Sequence, residues 1–299
     1  MDINKEKKFA ASLSITSNAL IILFKIIAGI VSGSISIISE AIHSFSDFLA
    51  SVLTFFAVSR SSEPADKDHP FGHGKYEDMS GFIEGGLIIL AGLYIIFEAA
   101  KKLITGYNLE FESTLGIYVM AFAVVANFVV SSYLFYVAKK ADSISLYADA
   151  EHLRTDIFSS LGVLVGLVII KITGYVIIDP VIAIIVAAII IKAGYSISKD
   201  TLNNLLDGAL PEEDMKKIES ILDNNISIKG YKDLKTRKVG QCKDIEITIF
   251  FEPELTIAQC HKICDEIEAE FAKSFSNMTI IIHPEPENLE KKNKITLSC

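Results

Sequence analysis

Residues 39–51 read SEAIHSFSDFLAS, and residues 147–160 read YADAEHLRTDIFSS. Each lies in an apolar run of about 20 residues or more, long enough to cross a bilayer as a helix. Each also carries a His followed four residues later by an Asp: His43 with Asp47, and His152 with Asp156. On a helix, positions i and i+4 share a face, so each pair presents an imidazole beside a carboxylate. Ionisable groups inside a membrane are costly and mark function by default. Two helices that each offer a His and an Asp can converge on four ligands, a set suited to tetrahedral Zn²⁺. The two imidazoles argue against the oxygen-only chemistry of Mg²⁺ or Ca²⁺. A lone imidazole reads equally well as an interhelical hydrogen-bonding group; the repeat of the spacing in two separate runs favours a metal site.

Outward from these two runs lie four more, giving six in all: 9–32, 35–59, 80–104, 114–138, 144–172 and 177–196. No cleavable signal peptide is evident, because the first run is long and no small-residue cleavage site follows a short apolar core. Of the 299 residues 51% are hydrophobic, which excludes a disordered chain, and the net charge of −9 excludes a basic nucleic-acid binder. Residues 1–200 hold 19 acids and 15 bases; residues 201–299 hold 18 and 13. The last third is therefore nearly twice as dense in charge, as expected of a soluble domain after a membrane part. Lys5, Lys7, Lys8, Arg60, Lys67, Lys75, Lys139, Lys140, Lys192 and Lys199 fall on one side of the membrane, while connections 33–34, 105–112 and 173–176 hold no Lys or Arg. By the positive-inside rule both termini are cytoplasmic. The expected division is a cytoplasmic tail at 1–8, a six-helix membrane domain at 9–207, a cytoplasmic domain at 208–286 and a disordered tail at 287–299. Gly81, Gly85, Gly86 and Gly92 in the third run permit close helix approach. Glu40, Asp149, Glu151 and Arg154 are expected nearer the cytoplasmic water, as an entry vestibule or capping salt bridges.

The connection at 64–78, PADKDHPFGHGKYED, gathers Asp66, Asp68, His69 and His73. Its glycines favour a tight turn that could bring both rings together. After residue 208 the pattern predicts helix 212–224, strands 229–238 and 243–252, helix 256–274 and strand 278–284. The four cysteines, Cys242, Cys260, Cys264 and Cys299, form no CxxC pair and read as reduced thiols.

These features together resemble the cation diffusion facilitator family, over almost the whole chain. The motifs are the paired His-xxx-Asp, HPFGHGKYE at 69–77 and LLDGALP at 205–211. The resemblance implies a membrane all-α six-helix bundle followed by an α+β ferredoxin-like, metallochaperone-like cytoplasmic domain. It also implies a homodimer, paired through the cytoplasmic domain and the base of the membrane domain, that exchanges a cytoplasmic divalent metal for protons across the cell (inner) membrane. The family's transport site falls on His43, Asp47, His152 and Asp156. His43, where iron/zinc members have a carboxylate, is similar to the zinc-selective pattern. The loop site falls on Asp66, His69 and His73, and an inter-subunit charge interlock on Lys75 and Asp207.

In the cytoplasmic third, His261, His283 and Glu285 stand at ligand-like positions, while Lys232 and Thr248 stand where the family's two-metal cluster has histidines. An ammonium opposes a nearby cation, so the expectation is one weaker site or a dimerisation fold with vestigial ligands. Cys260 and Cys264, one helical turn apart, read as packing residues. Zn²⁺ is the leading substrate, with Fe²⁺, Mn²⁺, Co²⁺ and Cd²⁺ open; no organic cofactor and no nucleic-acid partner is expected. A metal sensor without flux and a membrane metalloenzyme are the rivals; no HExxH-type motif supports the second.

Overall fold

Six long helices carry the first two thirds of the chain: α1 (Ile3–Ser32), α2 (Ile35–Ser61), α3 (Lys75–Thr105), α4 (Thr114–Ala141), α5 (Ile144–Thr173) and α6 (Ile178–Leu205). The computed structural model describes residues 3–32, 35–105, 114–173, 178–275 and 277–287. It divides into two units, Met1–Leu205 and Leu206–Cys299. The connections 33–34, 106–113 and 174–177 and residues 288–299, Cys299 among them, lie outside the described residues.

Helix α1 starts at Ile3, inside the stretch expected as a tail, and α6 runs to Leu205, well past residue 196. Apolarity ends where the bilayer ends, but the i→i−4 backbone bonds that hold a helix do not. Within the described residues, Ile3–Ala28, Lys75–Lys101 and Ala121–Ala141 are long and apolar enough to cross a membrane. Leu90, Phe97, Val125, Phe128, Ile185 and Ile189 point outward and exposed. That is the surface a bundle offers to acyl chains, where only helices and closed barrels satisfy the backbone.

Helices α3 and α6 pack most closely, and glycine is the reason. A Cβ on Gly85 would stand 2.4 Å from Ser198 Oγ and 2.9 Å from the Ser198 backbone nitrogen. On α6, a Cβ on Gly194 would stand 2.8 Å from the Gly85 carbonyl oxygen. Gly81 and Gly92 meet α5 or α6 atoms in the same way, whereas Gly86 faces open space. One apolar core joins α1, α2, α4 and α5 through Ala10, Val58, Leu134 and Leu146; a second joins α3, α5 and α6 through Ile88, Ala148 and Ile190.

The second unit has α7 (Glu212–Asp223), β1 (Gly230–Val239), β2 (Cys242–Phe251), α8 (Ile257–Ser274) and β3 (Met278–Pro286), each within a few residues of its sequence expectation. Acids Glu212, Glu213 and Asp214 fill the first turn of α7, favourable at a helix N-terminus. Thr256 and Gln259 form a capping box that starts α8. The sheet order is β1-β2-β3, with β1 antiparallel and β3 parallel to β2. Ile245, Ile247, Ile249 and Phe251 pack with Ile218, Leu222, Ile267 and Phe271 in one core. Cys264 is buried in that core and Cys260 packs partly buried against it, as expected of packing thiols. Burial pushes the Cys264 thiol up, away from the thiolate form.

Candidate metal centres

Helices α2 and α5 meet so that Asp47, His152 and Asp156 each aim one ligand atom at a common point, all within 4.8 Å of one another. The His152 Nε2 stands 3.1 Å from Asp47 Oδ1. A carboxylate oxygen only accepts, so the ring donates its Nε2–H. Asp47 and His152 are buried and Asp156 is partly buried. His43 lies on α2 one turn before Asp47; its side chain, like that of Glu40, lies outside the described residues. The His152 Nδ1 is buried with no hydrogen-bond partner. The donor set, an imidazole and two carboxylates, suits a borderline-soft divalent ion.

A second group forms in the α2–α3 connection. Gly72 takes φ +83° and its N–H donates to the His69 carbonyl at 2.9 Å, closing the turn. The His69 and His73 ring centroids come to 4.6 Å. Asp66 sits between them, with Oδ1 at 3.4 Å from His69 Nδ1 and Oδ2 at 3.4 Å from His73 Nε2. Asp66, His69 and His73 bring their ligand atoms within 4.8 Å of one another. His73 Nδ1 donates to the Pro64 carbonyl at 3.2 Å, which would leave the Nε2 lone pair, on the Asp66 side, to take a metal. The backbone N–H of His69 donates to Asp66 Oδ1 at 2.6 Å and that of Asp68 at 2.9 Å. The His69 N–H, then the Asp68 N–H and the nearby imidazoles, hold the Asp66 carboxyl below its usual range against the desolvation that raises it.

The two groups above are the ones that converge among the described residues. In the cytoplasmic unit, His283 and Glu285 share β3, with His283 Nε2 3.7 Å from Glu285 Oε1. His261 lies on α8, exposed, 3.7 Å from Asp265 Oδ1. It borders a cleft of about 450 Å³ that Glu285, Cys260 and Cys264 also line. Lys232, Thr248 and His283 fall in one row across the sheet. Lys232 Nζ donates to Glu285 Oε2 at 2.7 Å, so an ammonium holds the carboxylate that a metal would need. For the interlock pair, Lys75 Nζ donates to the Leu205 carbonyl at 3.3 Å, and Asp207 Oδ1 lies 3.6 Å from Arg237.

Of four other buried charged groups, Glu84 and Lys25 went unread in the sequence. Glu84 of α3 is fully buried, accepts from Ser80 at 2.9 Å and from Thr54, and keeps Oε2 unpartnered. Asp149 is fully buried too, which corrects its expected place near water: Ser51 donates to its Oδ1 at 3.0 Å, and Asn18 donates to Ser51 at 2.8 Å. Lys7, expected as a cytoplasmic tail charge, forms a fully buried ion pair with Glu77, which also accepts from Ser61 and Ser143. Lys25 is buried in α1 and donates to Ser44 at 2.7 Å. Glu84 and Lys25 were visible as single charges inside apolar runs. Arg154 does face outward, over Phe135 and Phe158.

Residues 11–206 match the family described as cation efflux transmembrane domain, and residues 210–287 match the cation efflux protein cytoplasmic domain. A transporter of Synechocystis sp., sll1263, is 31% identical over 92% of this chain and 89% of its own length. Protein p34 of Rickettsia rickettsii is 30% identical over 98% of both chains. The cation-efflux pump FieF of Pectobacterium atrosepticum is 28% identical over 95% of this chain and 94% of its own. Among solved structures, one of the putative zinc transporter CzrB is 29% identical, with a TM-score of 0.26, covering 27% of this chain and all of that one. With both domains matched along nearly its whole length, the chain belongs to the cation efflux, or cation diffusion facilitator, family: a membrane transporter with a cytoplasmic domain.

Proposed function

We propose that this transporter exports a divalent transition metal, Zn²⁺ first and Fe²⁺, Mn²⁺, Co²⁺ or Cd²⁺ as alternatives, in exchange for protons through His43, Asp47, His152 and Asp156. The observation that carries this reading is the convergence of Asp47, His152 and Asp156 from two helices on one buried point. The bond from His152 Nε2 to Asp47 supplies the coupling. A metal can take that nitrogen only when its proton leaves, so metal and proton compete for one atom. Facing the cytoplasm, the site binds metal and loses protons; facing outward, protons return and expel the metal. Asp66, His69 and His73 form a second, loop site for the same cation. The cytoplasmic domain pairs two copies, with Lys75 and Asp207 of different subunits interlocking at the base. Because Lys232 occupies Glu285, His261, His283 and Glu285 are read as part of that pairing domain, with one weak metal site between them. The termini face the cytoplasm and the membrane is the cell's inner membrane.

The test is metal flux into proteoliposomes under an imposed pH gradient. Zn²⁺ uptake that depends on the gradient supports the reading. Uptake unchanged in Asp47→Ala or His152→Ala sinks the site, and metal binding without any flux favours a sensor.

A further inference from the structure

Helices α1 and α2 run antiparallel and are joined by polar rungs across their seam. Asn18 donates to Ser51 at 2.8 Å, and seven residues later on α1 and seven earlier on α2 Lys25 donates to Ser44 at 2.7 Å. Asp47 falls between these rungs, three residues after Ser44 and four before Ser51. A rise of about 1.5 Å per residue puts Ser44 about 4.5 Å along the axis from Asp47, on a neighbouring face.

The rungs on the two sides of Asp47 differ in charge. Beyond Ser51 lie the buried carboxylates of Asp149, held by Ser51, and of Glu84, held by Thr54. On the side of the α1–α2 connection the rung ends in the Lys25 ammonium, and both Lys25 and Ser44 are buried. A buried lysine in an apolar helix is costly unless it does something. Its stem could have snorkelled to the interface; instead its head is anchored one turn from a cation site.

Resting on the transport reading above, we infer that Lys25, docked on Ser44, weakens the hold of the Asp47–His152–Asp156 site on a divalent cation and so sets how readily the metal is released. The ammonium repels a cation at that point through a low-dielectric interior, where screening is weak. It sits on the other side of Asp47 from the neutral Asn18–Ser51 rung. In this role Lys25 acts by its fixed charge.

The experiment uses the full-length protein carrying Asp66→Asn, which disables the loop site, and Zn²⁺ alone, measuring the equilibrium affinity of the tight site in detergent and flux kinetics in proteoliposomes. Lys25→Met and Lys25→Gln are expected to tighten Zn²⁺ binding about ten-fold, with KM and kcat both falling. Lys25→Arg, which keeps the charge, is expected to stay near the wild type. Gln can still donate to Ser44, so Lys25→Gln reads the charge even where Lys25→Met does not fold. Asp47→Asn in parallel separates the two readings. If it abolishes binding while both neutral Lys25 variants keep wild-type affinity, Lys25 has no such role and the site stands. If Asp47→Asn leaves binding intact, the site and the role of Lys25 fall together.

Discussion

His152 of α5 and Asp47 of α2 are joined by a 3.1 Å hydrogen bond between residues 105 positions apart, and it runs through the His152 Nε2. The other ring nitrogen, Nδ1, is buried without a partner. In the proposed site, the bond would orient the ring toward Asp47 while keeping a proton on the nitrogen it turns to the ligands.

Replacing either partner should remove metal binding at this site. Asp47→Asn or His152→Ala is expected to weaken it by more than the roughly 10–100-fold that loss of an outer-shell partner costs. Calorimetry with Zn²⁺ on the full-length chain with the loop site disabled by Asp66→Asn checks this; a smaller loss would make the pair supporting residues and not ligands.

The α3–α6 contact makes a paired prediction on neighbouring glycines. Gly85→Ala forces a Cβ against the Ser198 backbone at 2.9 Å and should destabilise the protein by about 1–3 kcal/mol. Gly86 faces open space, so Gly86→Ala should stabilise it by about 0.5–1 kcal/mol. Thermal unfolding in one detergent distinguishes the two; equal effects would mean α3 and α6 do not pack as described.

The buried pair of Lys7 and Glu77 ties α1 to α3, with Ser61 and Ser143 bringing in α2 and the turn before α5. Lys7→Met alone leaves a buried carboxylate uncompensated and should cost about 3–5 kcal/mol. Adding Glu77→Gln should restore much of the loss. A double-mutant cycle by chemical unfolding measures this; additive single effects would show that the two charges do not meet.

Asp66 gives a pH expectation with a definite sign. Its folded pKa lies below the usual carboxylate value because the His69 and Asp68 N–H groups stabilise the anion. The loop order it contributes is present above the ordinary carboxylate range and is lost only as pH falls through the lowered value. Between pH 7 and 5 the loop should therefore keep its shape. Circular dichroism should stay constant over that range and change only at lower pH; loop unfolding between pH 7 and 5 would reverse the assignment.

The Lys232–Glu285 pair predicts weak binding in the cytoplasmic domain. In a chain with the transport and loop sites disabled by Asp47→Asn and Asp66→Asn, residual Zn²⁺ binding should be weak. Lys232→His should tighten it about ten-fold or more, by freeing Glu285 and adding an imidazole. Two tight Zn²⁺ per subunit before that change would show that the ammonium does not block the position.

Much of this molecule follows from local rules that a sequence carries. The i, i+4 spacing put Asp47 on a face with His43 and Asp156 on a face with His152. The glycines of HPFGHG specified the turn that Gly72 makes, and Thr256 with Gln259 specified the start of α8. Backbone hydrogen bonding and steric limits act over a few residues, so they can be read along the chain. What only the tertiary structure decided is which faces meet. Asp149 looked like a residue nearer the cytoplasmic water, yet it is fully buried and Ser51 of α2 satisfies one oxygen. Lys7 looked like a tail charge, but α3 brings Glu77 to it. Lys232 and Glu285 are 53 residues apart, and strand register plus a long side chain joins them. In each case burial and a partner from a remote segment set the role of the charge, and no spacing rule specifies which remote segments pack together.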